Sequence, residues 1–118
     1  DQASLARLRA RMEREQPFLD PELTIRGLAH QMGMGQRDLS RLINQQLGVH
    51  FFDFVNRYRV EHAAVLLCDP AHQDANILDI AYRSGFNTKS SFNAAFGKHL
   101  GTTPTALRRQ AVIAPALA

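Results

Sequence analysis

One arrangement of apolar residues and glycines occurs twice in this chain, so any fold it adopts has to use the same local structure twice. Ile25, Leu28, Ala29 and Gly33 recur at an offset of 52 residues as Ile77, Ile80, Ala81 and Gly85. Beyond the glycine, Leu39, Ile43, Leu47 and Gly48 recur at an offset of 53 as Phe92, Phe96, Leu100 and Gly101. The second copy therefore holds one extra residue in its turn. Spacings of three and four place each apolar set on one side of a helix, and a glycine is the residue best able to take the left-handed backbone that ends one. Each copy reads as a short helix, a glycine turn and a second helix, the unit of a helix-turn-helix.

The same spacing recurs along the rest of the chain, and no sustained alternation of apolar and polar residues argues for a strand. The expected class is all-α, with two helix-turn-helix subdomains joined by a long central helix. About seven helices are expected, plus an extra one at the N-terminus. That first helix starts at a Ser4 cap, carries Leu5, Leu8 and Met12, and stops before Pro17; its many charges suggest a solvated outer face. Thr24 caps the next helix, which Gly33 ends. The following helix closes at Gly48, and the connector runs from Phe51 to Cys68 with Phe51, Phe54, Val55, Tyr58, Ala63, Leu66 and Leu67 as buried candidates. Residues 71–75 read as a polar loop. Ile77 to Ser84 and Thr88 to Leu100 form the second pair, and Thr103-Pro104 opens a last short helix through Leu107, followed by a frayed tail over 111–118. By segment, 1–20 is an N-terminal linker or extra helix and 21–118 the main domain. Within that domain 21–50 holds the first motif, 51–69 the connector, and 76–110 the second motif with the closing helix.

Residues 1–118 suit a single unit, and 45% hydrophobic content suffices for a packed core. Cys68, the lone cysteine, precludes an internal disulfide and reads as filler on an apolar helix face, which points to a reducing, cytoplasmic setting. No apolar run approaches the roughly 20 residues that cross a bilayer, and the opening Asp1-Gln-Ala-Ser4 lacks the layout of a signal peptide, so no membrane contact is expected of this fragment. His30, His50, His62, His72 and His99 show no metal-ligand spacing, and neither a phosphate loop nor a nucleophile elbow is present. The expectation is a non-enzymatic chain without a metal or cofactor. The net charge is +3, and residues 77–118 carry the surplus, with five basic side chains against one acidic. A cationic surplus weakly favours an anionic partner.

In a helix-turn-helix the first helix packs through small residues, here Ala29 and Ala81, so that the second crosses closely and turns a polar face outward. Ile80, Phe86, Phe92 and Phe96 anchor the second copy, and the polar run Asn87 to Ser91 opens its exposed helix. The corresponding face in the first copy is Gln36, Arg37, Ser40, Arg41 and Asn44.

These residues resemble a known pattern. Ile77-Leu-Asp-Ile-Ala81, Ser84-Gly-Phe86, Lys89-Ser-Ser-Phe92, Phe96, Gly101-Thr-Thr-Pro104 and Arg108 are similar to the signature of the AraC/XylS family of transcription regulators. The central Asn56-Arg57, Arg59 and Glu61-His62-Ala63 fit it too, and the match covers about residues 22–110. The resemblance implies a seven-helix domain that places two recognition helices in successive major grooves of double-stranded DNA. Carried over by position, it implies base contacts from Arg37, Ser40 and Arg41 and from Lys89, Ser90 and Asn93. Phosphate contacts are expected from Gln36, Asn44, Asn87, Thr88, Ser91, Lys98 and Thr103. The charged first helix, outside that match, reads as the end of a linker from an upstream sensor or dimerisation domain, and RNA polymerase is a further expected partner. The chain departs from the family at Ala94, where an arginine is common, at Gly97, where a lysine is common, and at Gly35, which replaces a serine cap; fewer or weaker contacts are expected from the second recognition helix.

Arginine's planar fork matches the two acceptors on a guanine edge, so Arg37 and Arg41, one turn apart, suit adjacent base pairs. Lys89, Ser90, Ser91 and Asn93 offer donors without a fork, which fits phosphate or water-mediated contact better. The competing reading of the first face is a solvated surface on which Asp38 and Arg41 pair locally, and Thr103 reads mainly as a structural cap. For the whole chain the alternative is a helical protein-interaction module. The connector, 18 residues over Phe51–Cys68, would span about 27 Å. That length suits recognition helices set about 34 Å apart, one turn of DNA.

Overall fold

Helix boundaries in the structure, a computed structural model, follow the punctuation just described; it describes residues 1–117, with side chains described for residues 1–112. Among the described residues there are seven α-helices and no strand: α1 Gln2–Glu15, α2 Ile25–Met32, α3 Gln36–Leu47, α4 Phe51–Cys68, α5 Ile77–Arg83, α6 Lys89–Leu100 and α7 Pro104–Leu117. Short 3-10 turns lie at Pro17–Leu19 and Pro70–His72. The all-α expectation holds, and the extra N-terminal helix is one of the seven rather than an eighth. The chain forms two compact units, Asp1–Tyr58 and Arg59–Ala118.

The first unit is built on α1, α2, α3 and the start of α4. The cap of α1 is Asp1, not Ser4: the Asp1 Oδ1 atom accepts the Ser4 amide at 2.9 Å. A carboxylate at a helix start satisfies a free amide and also favours the dipole, so the helix begins three residues earlier than the serine suggested. The charged outer face of α1 is exposed as expected, yet Leu8 and Met12 on its inner face are fully buried with Leu28, Leu39 and Ile43. Burying such a side chain contributes about 1.5–3 kcal/mol. Arg7 Nη2 donates to the Met32 carbonyl at the end of α2 at 2.8 Å, which ties α1 to the turn that launches α3.

Thr24 caps α2 by accepting the Gly27 amide at 3.0 Å. Gly33 ends α2 with φ 68°, and the Met34 amide closes onto the Ala29 carbonyl at 2.9 Å. The second unit repeats this bond, with the Phe86 amide donating to the Ala81 carbonyl at 3.1 Å after Gly85. Both bonds span five residues at the same offset of 52, so the register changes only afterwards and Asn87 is the inserted residue. Leu28 and Ile80, Leu39 and Phe92, and Ile43 and Phe96 are buried as matched pairs.

In the second unit Val60, Ala63 and Leu67 of α4 pack with Ile80, Phe86, Phe92 and Phe96. The Phe92 ring meets Phe86 edge-on at 5.2 Å and Phe96 at 5.5 Å. Three expectations for α4 are corrected. Val60 is fully buried although it was not among the candidates; Tyr58 and Leu66 are only half-buried; and Cys68, the last residue of the helix, is exposed, because α4 ends there and turns away at Pro70. Arg59 is buried with its guanidinium 6.0 Å from the centre of the Phe86 ring, which offsets part of its desolvation.

The loop expected over 71–75 is pinned rather than open. Asp69 accepts the Ala71 amide at 2.9 Å and meets His72 Nδ1 at 3.0 Å. From α7 Arg108 donates to the carbonyls of Ala75 at 2.7 Å and His72 at 3.2 Å. The arginine of the closing motif is thus a staple between α7 and the segment leading into α5. The last helix also runs on past Leu107 to Leu117; of the expected frayed tail over 111–118, Ala118 lies outside the described residues.

Candidate nucleic-acid interface

Each unit leaves one face of the second helix of its helix-turn-helix pair exposed. On α3 the buried row is Leu39, Leu42 and Ile43; on the opposite side Gln36, Arg37, Arg41 and Asn44 are exposed and Ser40 is half-buried. On α6 the buried row is Phe92, Ala95 and Phe96, and Lys89, Ser90, Ser91, Asn93, Ala94, Gly97 and Lys98 are exposed. Every base-contact candidate except Ser40 is therefore presented to solvent. Ser40 sits next to the buried Leu39 and is half-covered.

Arg37 and Arg41 make no hydrogen bond or ion pair among the described residues, and Asp38 does not pair with Arg41. The local pairing considered for this face is not formed. Both guanidinium forks are left with all five donors available, the condition for bidentate contact with a planar acceptor pair. Asp1, Ser4, Asp38 and Arg41 line a hollow of about 400 Å³ beside α3, so the start of α1 borders this exposed face, which the sequence did not reveal.

The helix starts differ between the copies. Gly35 gives α3 no side-chain cap, so its first amides keep their hydrogens free. Thr88 caps α6, its Oγ1 accepting the Ser91 amide at 3.1 Å and lying 2.7 Å from the Ser91 hydroxyl. Thr103 caps α7 by accepting the Ala106 amide at 3.1 Å, as its structural reading anticipated. Asn87 and Lys98, the other phosphate-contact candidates of this unit, are exposed. Lys89 and Asn93 line a groove of about 650 Å³ with Asn76, Ile77, Phe92 and Thr103, so the starts of α5, α6 and α7 converge on it.

Behind α6, the turn is held from α4. Ser84 is fully buried and its Oγ lies 3.1 Å from His62 Nδ1. Burial holds the His62 imidazole below its ordinary pKa, because the charged form is the one that loses water. Neither residue carried a sequence signal beyond its place in the family pattern.

Two matched helix pairs, each turning an exposed polar row outward, agree with what comparison finds. The description "Helix-turn-helix domain" matches residues 28–110. The chain belongs to the AraC-type helix-turn-helix family. It is 34% identical over 95 residues to the HTH-type transcriptional activator RhaS of Escherichia coli O139:H28, a stretch covering 80% of this chain and 33% of that protein. It is 33% identical over 87 residues to an uncharacterized HTH-type transcriptional regulator of Staphylococcus aureus strain COL, covering 74% of this chain and 11% of that protein. The chain thus spans a third or less of the length of these curated relatives. A transcriptional regulator from Chromobacterium violaceum, with an AraC-type DNA-binding domain, superposes with a TM-score of 0.78 at 26% identity, covering 93% of each chain. Sequence-specific DNA binding is the function this membership supports for the domain, and a protein-interaction module without DNA binding is not favoured.

Proposed function

We propose that the chain binds double-stranded DNA by laying α3 and α6 in two successive major grooves. Arg37, Ser40 and Arg41 read base edges from α3; Lys89, Ser90 and Asn93 lie on the groove side of α6, where Ser90 and Asn93 face the bases and the Lys89 ammonium reaches the flanking phosphate. Gln36, Asn87, Thr88, Ser91, Lys98 and Thr103 hold the flanking phosphates, and the uncapped amides at the start of α3 add to them. Because the hydroxyls of Thr88 and Ser91 already bond each other and the Ser91 amide is donated to Thr88 Oγ1, their part is to hold the start of α6 so that the Lys89 and Ser90 amides face phosphate. One observation carries this reading: the same helix pair is built twice, and each copy leaves an exposed polar row opposite its buried one.

As such a domain the chain acts by binding rather than catalysis, in the cytoplasm, as one part of a longer regulator. The fraction of its relatives that it spans supports a further sensor or dimerisation domain, with RNA polymerase as the downstream partner. Selection of bound sites from a random DNA pool, followed by titration of the recovered site against salt, tests the proposal. The logarithm of affinity should fall linearly with the logarithm of salt, by about 0.9 for each phosphate neutralised. A chain that retains no DNA at low salt, or whose binding ignores salt, would contradict it.

A further inference from the structure

We infer that Asn44, a phosphate-contact candidate from sequence, is a base-reading residue of α3 with a preference for adenine; this rests on the DNA-binding proposal above. Arg37, Ser40, Arg41 and Asn44 stand at i, i+3, i+4 and i+7, opposite the buried Leu39, Leu42 and Ile43. Seven residues make nearly two turns, so Asn44 lies within about 20° of Arg37 around the helix axis. It is also about 10 Å further along that axis, at 1.5 Å per residue. Base pairs repeat every 3.4 Å or so, so a row of this length covers about three steps. A homeodomain's recognition helix reads the major groove from four positions at this same spacing. Gln36, by contrast, lies about 100° from Arg37 around the helix, on the flank where a phosphate strand passes.

The chemistry fits the place. A carboxamide donates one hydrogen bond and accepts another, the pattern of adenine's N7 and N6 edge. Asn44 is exposed and its side-chain carboxamide makes no hydrogen bond among the described residues, so neither of its groups is engaged. Nor does the fold need a side chain there: the equivalent residue in the second copy is Gly97, and a Cβ added to it would meet no atom within 4 Å. At the four equivalent positions α6 offers Ser90, Asn93, Ala94 and Gly97, so its row ends at Asn93 while that of α3 continues to Asn44.

The test uses sites selected from a random pool by the chain itself and then varied one base pair at a time. Arg41→Ala first marks the base pair under Arg41. Asn44→Ala should then abolish an adenine preference at a neighbouring pair, weakening the selected site by about 5- to 150-fold and leaving sites already changed at that pair nearly unaffected. Asn44→Asp, which keeps the size but can only accept, should move the preference at that pair toward cytosine. An equal loss on every site from Asn44→Ala, or an unchanged preference, assigns Asn44 to the phosphates and overturns the inference. If Arg41→Ala shows no base dependence either, base reading by α3 fails as a whole, and Asn44 with it.

Discussion

Replacing Leu8 by alanine asks whether α1 belongs to the first unit's core. Leu8 is fully buried, with Met12 beside it and Leu28, Leu39 and Ile43 in the same cluster. Truncation removes three carbons from a packed site, and buried leucines cut to alanine cost about 2.7–5 kcal/mol, the spread depending on how far the cavity collapses. Domains of this size have only about 5–15 kcal/mol to lose. With a urea dependence of about 1–2 kcal/mol per molar, the midpoint should fall by at least about 1.3 M. Urea titration followed by helical circular dichroism measures it, with Arg9→Ala on the exposed face of α1 as the control expected within about 0.5 kcal/mol of the parent. A Leu8→Ala change no larger than the control would refute the reasoning and return α1 to the solvated helix its charges suggested.

Arg41→Ala should relax base preference, whereas Lys89→Ala should weaken all DNA alike and reduce the salt dependence by about one unit; binding across operator variants at several salt concentrations separates them. Ala94 stands on α6 where Arg41 stands on α3, so Ala94→Arg should install a new guanine preference in the half of the site under α6, seen by repeating the selection. His62, depressed by burial, binds a proton less readily folded than unfolded, so its contribution is fully present above its ordinary value of 6.5 and is lost as pH falls below it. The carboxylate of Asp69, lowered first by the Ala71 amide and then by His72, loses its contribution only below its ordinary 3.8. Stability between pH 7.5 and 5 should therefore fall less in His62→Asn than in the parent, and an identical fall would exclude this histidine as a source.

The duplicated motif was legible because each copy is specified locally. Matched apolar spacings and a terminal glycine need no knowledge of the partner surface, and Gly33, Gly48 and Gly101 take the left-handed backbone expected of them. The bounds of α4 were legible for the same reason. What stayed hidden depends on distant groups. Arg59 looks like a surface residue until Phe86 is placed over it, Arg108 shows no role until the carbonyls of His72 and Ala75 reach it, and the burial of Leu8 depends on α2 and α3. At the interface the exposed residues themselves could be read from helical periodicity. That Arg41 would stand unpaired beside Asp38 could not, since spacing alone permits the pair.

Methylation interference on a selected site tests the central claim most directly, because methylated guanine N7 lies on the major-groove edge. The account predicts interference at guanines under α3 that disappears with Arg37→Ala or Arg41→Ala, together with a second protected major-groove segment about one helical turn away. Interference that survives both substitutions, or protection confined to a single groove, would contradict it.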